Sequence, residues 1–178
     1  TKSSYSIRVR ATDQGGLTYE QQLTITVTDV NEAPTDVTLN NSSVWENQPA
    51  GTTVGTLSAS DPDAGNTHTL ALVSGAGDAD NASFTIAANE LQTAAAFDYE
   101  AKSSYSIRVR STDSGTLWTE KAFTISVTDA SEPPTISDIA NQTIDEDGST
   151  GAMDFTVGDP ETATGSLTQR STVGVIWN

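Results

Sequence analysis

The chain has 178 residues, enough for one domain or two, and carries 24 acidic against 8 basic side chains, a formal net charge of −16. This acidic excess argues against nucleic acid and anionic membrane surfaces as partners, because no basic surface is left to neutralise phosphates. The excess also repels itself unless cations bind or screen it. The absence of cysteine excludes disulfides and thiolate metal sites, and no apolar run approaches the ~20 residues that membrane insertion requires.

The first 35 residues form a unit that returns later in the chain. Residues 1–35 reappear as residues 101–135 with roughly two-thirds of the positions identical, and Lys2 matches Lys102, so the period is 100 residues. Each copy contains two runs of alternating apolar and polar residues separated by an Asp- and Gly-containing turn, which predicts two strands. Each copy ends in acids followed by proline, which stops the second strand.

The opening of the unit also recurs. Residues 41–46 answer to 141–146 at the same offset of 100, and Asp61-Pro62-Asp63 answers to Asp159-Pro160-Glu161. We therefore predict a tandem array with partial repeats at both ends. Residues 1–34 would close one unit, 35–134 would form a complete unit, and 135–178 would open a third. The alternative is a single domain with a duplicated hairpin.

The complete unit is predicted to be all-β. Seven strands separated by Gly, Asn, Asp and Pro turns within about 100 residues favour a seven-stranded Greek-key sandwich. The predicted strands are 37–39 continuing to Val44, then 54–59, 69–73, 84–87, a short strand near Leu91, 105–110 and 123–127. The predicted core consists of the apolar residues of these runs: Leu39, Trp45, Leu57, Leu70, Leu72, Phe84, Ile86, Phe97, Tyr105, Ile107, Val109, Phe123, Ile125 and Val127.

Several acids of the complete unit come in pairs with one residue between them. Asp61 and Asp63 flank Pro62, and Asp98 and Glu100 flank Tyr99. In extended chain, residues i and i+2 point to the same side, so each pair would present two carboxylates in one direction. Two like charges so close repel unless a cation lies between them.

The joint after the last strand combines further oxygen donors. Asp129-Ala130-Ser131-Glu132-Pro133-Pro134 offers carboxylates and backbone carbonyls in stiff, extended chain. Ca²⁺ takes six to eight oxygen ligands, which such a joint and the paired acids can supply together. The sequence therefore predicts calcium at the joints between units, and calcium could hold together an extracellular chain that has no disulfides.

Five ordered segments of the chain resemble the motifs of cadherin repeats, of the kind strung together in large bacterial surface adhesins. Trp45-Glu46-Asn47-Gln48-Pro49-Ala50-Gly51-Thr52 resembles the first-strand Glu motif, and Ala59-Ser60-Asp61-Pro62-Asp63 the DxD motif. Phe97-Asp98-Tyr99-Glu100 resembles LDRE, Val109-Arg110-Ser111-Thr112-Asp113 resembles AxD, and Asp29-Val30-Asn31-Glu32-Ala33-Pro34 resembles DxNDNxP. The resemblance implies a cadherin/immunoglobulin-like sandwich with Ca²⁺ between successive repeats.

The resemblance also implies two ligand sets. One junction would use Glu46, Asp98, Glu100, Asp129, Ser131, Glu132, Asp159 and Glu161; the other would use Asp29, Asn31, Glu32, Asp61, Asp63 and Asp113. The chain departs from the family pattern at Ser131 (usually Asn), at Glu32 and Glu132 (usually Asp), at Tyr99 (usually Arg) and at Glu161. These departures bear on the number of bound ions. We expect two or three at the junction that contains Glu46.

No enzyme is indicated. His68 is the only histidine and is expected to be a surface strand residue, and no G-x-S-x-G setting for a nucleophile occurs. The paired carboxylates lack the aromatic cleft of a glycosidase. Three asparagines, Asn41, Asn81 and Asn141, lie in N-x-[ST] sequons and are read as turn residues.

Two function classes remain. The first is a calcium-stiffened spacer of an extracellular adhesin or cell-surface fibre, with neighbouring repeats of the same chain as its partners. The second is a binding module for surface polysaccharide or for other copies of itself, carried by a sheet edge or by Trp45, Trp118 and Trp177. The partial units could also complete one another between copies by strand complementation.

Overall fold

The computed structural model describes residues 2–149 and 151–161. Within these ranges the ordered elements are short to medium strands and one 3₁₀ turn. They are β1 (Ser4–Thr12), β2 (Thr18–Thr26), β3 (Asp36–Leu39), β4 (Ser43–Trp45), β5 (Thr53–Ser60), β6 (His68–Leu72), the 3₁₀ turn (Asn81–Ser83), β7 (Phe84–Ala87), β8 (Glu90–Thr93), β9 (Ser104–Asp113), β10 (Trp118–Thr128), β11 (Thr135–Ile136) and β12 (Val157–Gly158). The all-β prediction is confirmed.

Two four-stranded sheets make up the part of the chain between β3 and β10. One has the order β4-β10-β9-β6 and the other β3-β5-β8-β7. All pairs are antiparallel except β4 with β10, which run parallel. The predicted first strand is therefore divided: β3 lies in one sheet and β4 in the other.

The core lies between these two sheets. Its buried apolar side chains are Val37, Val44, Val54, Leu57, Phe84, Leu91, Phe97, Ile107, Val109, Ile125 and Val127. Six predicted core residues pack against them while partly buried: Leu39, Leu70, Leu72, Ile86, Tyr105 and Phe123. Phe97 stacks on Tyr105 with ring centroids 4.3 Å apart, and Phe84 meets both rings edge-on. Such aromatic contacts add to the free energy gained by burying apolar area.

Trp45 was predicted in the core, and this was wrong. It lies on the edge strand β4 and is 57% exposed, whereas its neighbours Val44 and Glu46 are buried. Since successive side chains of a strand point to opposite faces, the inward position of Val44 turns Trp45 outward. The hydrophobicity of tryptophan favours burial, but at this position the alternation of the strand decides its direction.

The expectation for His68 also needs correction. His68 opens β6, but its side chain is only 16% exposed and its Nε2 lies 2.9 Å from Asp61 Oδ2. Two of the sequon asparagines are held inside loops, as expected of turn residues. The Asn41 side chain donates to the Ser43 and Val54 carbonyls, and Asn81 binds Val73 and Arg108 through their backbones.

The two copies of the repeat form the same hairpin. β1 pairs with β2 from Ser4 with Thr26 to Thr12 with Thr18, and β9 pairs with β10 in the equivalent register. Beyond residue 134, β11 and β12 form a two-stranded sheet. No helix in the part of the chain that the structure describes has the length and hydropathy needed to cross a bilayer.

Candidate metal centre

The predicted ligands lie at the two ends of the sandwich. We call the set around residues 29–32, 61–63 and 113 the first junction, and the set around Glu46, 98–100, 129–132 and 159–161 the second junction. Each junction combines a linker that leaves a long strand with loops of the sandwich. The second junction holds more carboxylates than the first.

Glu46 organises the second junction. It follows β4, whose parallel pairing with β10 sets Trp45 opposite Thr128, and the Glu46 N–H donates to the Thr128 carbonyl at 3.0 Å. Its carboxylate is 1% exposed and accepts the backbone N–H groups of Tyr99 at 2.7 Å and Ala130 at 2.8 Å. One buried carboxylate thus fixes both the loop before β9 and the linker after β10.

Two groups of three carboxylates meet beside Glu46. One consists of Glu46, Glu100 and Asp129, the other of Glu100, Glu132 and Glu161. Within each group, one oxygen of every side chain lies within 4.8 Å of the others. Glu100 belongs to both groups, so the five carboxylates form one continuous cluster. Oxygen donors at this spacing are the ligands that a hard cation prefers.

The charges of this cluster oppose one another. Partial desolvation, then the charges of Glu46, Asp129 and Asp98, raise the pKa of Glu100. Desolvation and the charge of Glu46 likewise raise the pKa of Asp129. A hydrogen bond shared with the Glu161 carboxyl, then desolvation and neighbouring charges, raise the pKa of Glu132 to about 7. Carboxylates held together in this way favour a proton or a bound cation.

Glu132 has one satisfied and one unsatisfied oxygen. Asn47 Nδ2 donates to Glu132 Oε1, and the Glu132 N–H donates to Glu161 Oε1 at 3.2 Å. Glu132 Oε2 is buried and has no hydrogen-bond donor among the residues that the structure describes. A buried carboxylate oxygen without a donor is costly, so this oxygen fits a cation ligand better than a purely structural role.

Three residues predicted for the second junction lie outside both groups. Asp98 Oδ1 accepts the Ala101 N–H at 2.9 Å, and the Asp98 carbonyl accepts the Lys102 N–H at 3.0 Å. These bonds close a turn over residues 99–101, so the segment is not the extended chain from which parallel Asp98 and Glu100 side chains were inferred. Ser131 is exposed in the linker, and Asp159 is half-buried directly after β12.

The first junction brings together three of its predicted carboxylates. One oxygen from each of Asp29, Glu32 and Asp63 lies within 4.8 Å of the others. The Glu32 N–H donates to Asp63 Oδ2 at 2.7 Å. A hydrogen bond between the Glu32 and Asp63 carboxyls, then the charge of Asp63, raise the pKa of Glu32.

Asp61 does not join this group. Its Oδ1 accepts the Asp63 N–H at 2.8 Å and its Oδ2 faces His68 at 2.9 Å. These two hydrogen bonds, with that of the Asp63 N–H the stronger influence, hold the pKa of Asp61 below its usual range. The i, i+2 pair is thus one carboxylate satisfied within its turn and one that faces the linker.

Amide groups hold the remainder of the first junction. Asn31 Nδ2 donates to Asp113 Oδ2 at 2.9 Å, and Asn66 Nδ2 donates to Asn31 Oδ1 at 3.1 Å. Asp113 is 5% exposed and also accepts the Leu117 N–H at 2.8 Å. Gly115 leaves room for this arrangement, because a Cβ there would lie 2.5 Å from Asn31 Nδ2. The linker is thereby fastened to the sandwich by neutral donors.

Sequence reasoning missed two asparagines of these sites. Asn66 links Asn31 to Ser114, whose Oγ donates to Asn66 Oδ1 at 2.8 Å, and Asn47 binds Glu132. Both lie beside turn residues in the sequence: Asn66 comes after Gly65, and Asn47, whose φ is 59° in the structure, comes two residues before Pro49. Asparagine tolerates the left-handed region, so turn chemistry was the signal available.

Known proteins are similar to this chain in sequence. Human protocadherin gamma-A9 is 36% identical over 142 residues, which cover 74% of this chain and 15% of the relative. Human protocadherin-16 is 37% identical over 136 residues, which cover 72% of this chain and 4% of the relative. The chain therefore spans only a small part of these relatives.

Solved structures agree on the fold. Protocadherin gamma B7 extracellular cadherin domains 1–4 superpose with a TM-score of 0.62 at 27% identity, covering 91% of this chain and 42% of that one. Chicken VE-cadherin EC1-2 gives a TM-score of 0.50 at 26% identity, covering 72% of this chain and 68% of that one.

A family assignment follows from the residues that match. The cadherin domain family matches residues 40–128, which run from the loop before β4 to the end of β10. Both of the human relatives are protocadherins. The chain belongs to the cadherin domain family.

Proposed function

We propose that this chain is a section of a calcium-rigidified tandem array that acts as a spacer in an extracellular adhesin. Residues 1–34, 35–134 and 135–178 are parts of three successive units, and the part of the third beyond Glu161 lies outside the described residues. In the complete unit, β3 and β4 are one interrupted strand of a seven-stranded Greek-key sandwich. We place this array in a large bacterial surface adhesin.

The observation that carries the proposal is the continuous cluster of five carboxylates at the second junction. Its donors are all oxygens, and the buried Glu132 Oε2 lacks a hydrogen-bond donor among the described residues. Glu46, Glu100, Asp129, Glu132 and Glu161 would hold two or three Ca²⁺ ions, with Asp98, Ser131 and Asp159 completing the shells through carboxylates or carbonyls. Asp29, Glu32 and Asp63 would hold Ca²⁺ at the first junction, assisted by Asn31, Asp61 and Asp113.

Rigidity follows from where the ligands originate. Glu46 and Glu100 belong to the complete unit, Asp129 and Glu132 to the linker, and Glu161 to the following unit. Bound Ca²⁺ neutralises the repulsion among them and ties the three segments into one arrangement. Without it, the opposed carboxylates loosen the joint. The matched protocadherin gamma B7 structure consists of extracellular cadherin domains, which supports an extracellular location for this chain.

The proposal is tested by calcium titration of chelator-treated protein, with calorimetry, thermal unfolding and small-angle scattering as readouts. We expect binding at about 10⁻⁴–10⁻³ M, the range of extracellular modules. Calcium at a hundred times Kd should stabilise the folded state by about 2.7 kcal/mol, and the molecule should lengthen. Glu100→Gln should remove most of this response because Glu100 belongs to both carboxylate groups.

The matched control is Glu90→Gln, which removes the same charge from β8 at a glutamate that belongs to neither group. It should bind calcium like the parent. The proposal fails if millimolar calcium neither binds nor stabilises the protein, or if Glu90→Gln weakens binding as much as Glu100→Gln.

A further inference from the structure

An uncharged cleft opens beside the edge strand β4, next to the second junction but lined by none of its carboxylates. It encloses about 300 Å³, and its walls are formed by residues of the 41–45 and 48–53 segments and by Thr128. No Lys, Arg, Asp or Glu side chain lines it. An uncharged cleft offers no opposite charge to offset the desolvation of an ionised ligand, so it favours neutral ligands.

Trp45 supplies the one large apolar surface of this cleft. It is 57% exposed on the edge strand, so its indole is not needed for the core. The frame of the repeat does not require tryptophan here either: Val44 and Glu46 correspond to Ile144 and Glu146, whereas Trp45 corresponds to Asp145. An exposed aromatic ring that neither packing nor the repeat demands is a candidate ligand contact.

Hydroxyl and amide groups surround the indole. The Thr128 hydroxyl and Gln48 Oε1 have no hydrogen-bond partner within the described part of the chain, and Gln48 Nε2 makes one long bond of 3.4 Å to the Glu46 carbonyl. Thr52 donates to the Pro49 carbonyl and Thr53 to Glu90, which leaves both hydroxyl oxygens able to accept. These groups can exchange hydrogen bonds with a ligand that carries several hydroxyls.

We propose that this cleft binds a neutral hexopyranose residue of a polysaccharide. The apolar C–H face of the sugar ring packs on the exposed indole of Trp45. Its equatorial hydroxyls bind Thr128, Gln48 and the hydroxyl oxygens of Thr52 and Thr53. Such a site would allow the spacer to bind surface glycans, and this binding would not require calcium because no proposed calcium ligand lines the cleft.

The expected affinity is weak. A single hexopyranose residue has about 11 non-hydrogen atoms, and at the ligand efficiency of drug-sized molecules we expect a Kd in the millimolar range. Longer chains gain only if neighbouring residues also contact the protein. Millimolar affinity is within reach of calorimetry and of tryptophan fluorescence.

The test titrates the protein with three neutral glucose hexamers, linked β-1,4, β-1,3 and α-1,4, and with an acidic galacturonate hexamer. We expect millimolar binding of at least one neutral hexamer, none of the acidic one, and the same result in calcium and in chelator. Trp45→Ala should weaken binding about tenfold or more, which is about 1.4 kcal/mol. Trp45→Phe should retain part of it because an aromatic face remains.

The matched control is Trp118→Ala, which removes another exposed tryptophan, one that stacks on Arg110 outside the cleft. It should bind like the parent. The proposal is overturned if none of the neutral hexamers binds at a concentration of about 10 mM. It is equally overturned if Trp118→Ala loses as much affinity as Trp45→Ala. It is also overturned if Trp45→Ala changes the sedimentation of the protein, since Trp45 would then contact a second copy.

Discussion

The first and second junctions use their acids differently. At the first junction, Asp61 and Asp113 accept hydrogen bonds from the protein itself, and the carboxylate group contains Asp29, Glu32 and Asp63. At the second junction, five carboxylates face one another, and one buried oxygen of Glu132 has no donor among the described residues. Most acids of the first junction accept hydrogen bonds from the protein, whereas the carboxylates of the second junction face and repel one another.

A single residue of the linker accounts for part of this difference. Asn31 of the first linker corresponds to Ser131 of the second. The asparagine amide reaches Asp113 and Asn66, whereas serine has neither the length nor the second donor to do so. The first linker keeps these neutral hydrogen bonds when no cation is bound, whereas the amide that holds the second linker, that of Asn47, binds one of the opposed carboxylates, Glu132. We therefore expect the second junction to depend more strongly on calcium than the first.

The largest effect should come from Glu46, which anchors the second junction and has no part in the first. Glu46→Ala leaves the N–H groups of Tyr99 and Ala130 without their carboxylate acceptor. Hydrogen bonds to charged groups contribute about 1.5–3 kcal/mol each, so the free energy of unfolding should fall by about 3 kcal/mol. Urea unfolding in chelator and 1 M salt measures this, because salt at that concentration screens the carboxylate repulsion that the substitution also relieves.

The control for Glu46 is Glu32→Ala at the first junction. The Glu32 side chain is exposed, and its hydrogen bond to Asp63 through the backbone N–H survives the substitution. Its unfolding free energy should change by no more than about 0.5 kcal/mol. Equal losses in the two variants would contradict the anchoring role of Glu46.

A pH dependence of intermediate size should distinguish the junctions in the calcium-free protein. The pKa of Glu132 is raised from 4.5 to about 7, first by the Glu161 carboxyl, so the folded state binds more protons than the unfolded state between these values. The stability that this pKa shift contributes is therefore fully present below pH 4.5 and is lost as the pH rises through 7. Melting temperature in chelator should be higher at pH 5.5 than at pH 8, and Glu132→Gln should flatten this slope.

Calcium should reverse that trend, because the ion competes with the proton for the same carboxylates. The melting temperature in saturating calcium should not fall between pH 5.5 and 8. A Glu132→Gln variant whose slope in chelator matches the parent would place the proton elsewhere in the cluster. The Glu32 pKa is also raised, so Glu32→Gln measures how much the first junction contributes to the pH dependence of the melting temperature.

Much of the fold could be predicted from local sequence, and the two hairpins show the limit of that prediction. Residues 4–26 and 104–126 have similar sequences and the same strand register. Ile107 and Val109 are fully buried, while their counterparts Ile7 and Val9 are 44% and 51% exposed. Alternation specifies the hairpin, but burial depends on a facing sheet, which only the second hairpin has among the described residues.

The site was predictable in its residue types and less so in its contacts. The order of motifs indicated that Glu46, Glu100 and Asp129 would meet, and the structure brings them together. The spacing of Asp98 and Glu100 suggested parallel side chains, but residues 99–101 form a turn. In this turn Asp98 accepts the Ala101 N–H, and Glu100 joins the carboxylate groups. Hydrogen bonds within turns compete with the extended geometry that an i, i+2 pattern assumes.

The smallest effect should come from the linker asparagine. Asn31→Ala removes the donor of Asp113 Oδ2 and the acceptor of Asn66, so the free energy of unfolding should fall by about 1 kcal/mol. Ser131→Ala, at the aligned position of the second linker, should change it by less than about 0.5 kcal/mol. Urea unfolding in chelator measures both variants. Hydrogen exchange should also quicken in residues 29–34 of Asn31→Ala only; equal exchange in the two linkers would mean that neutral hydrogen bonds do not distinguish the junctions.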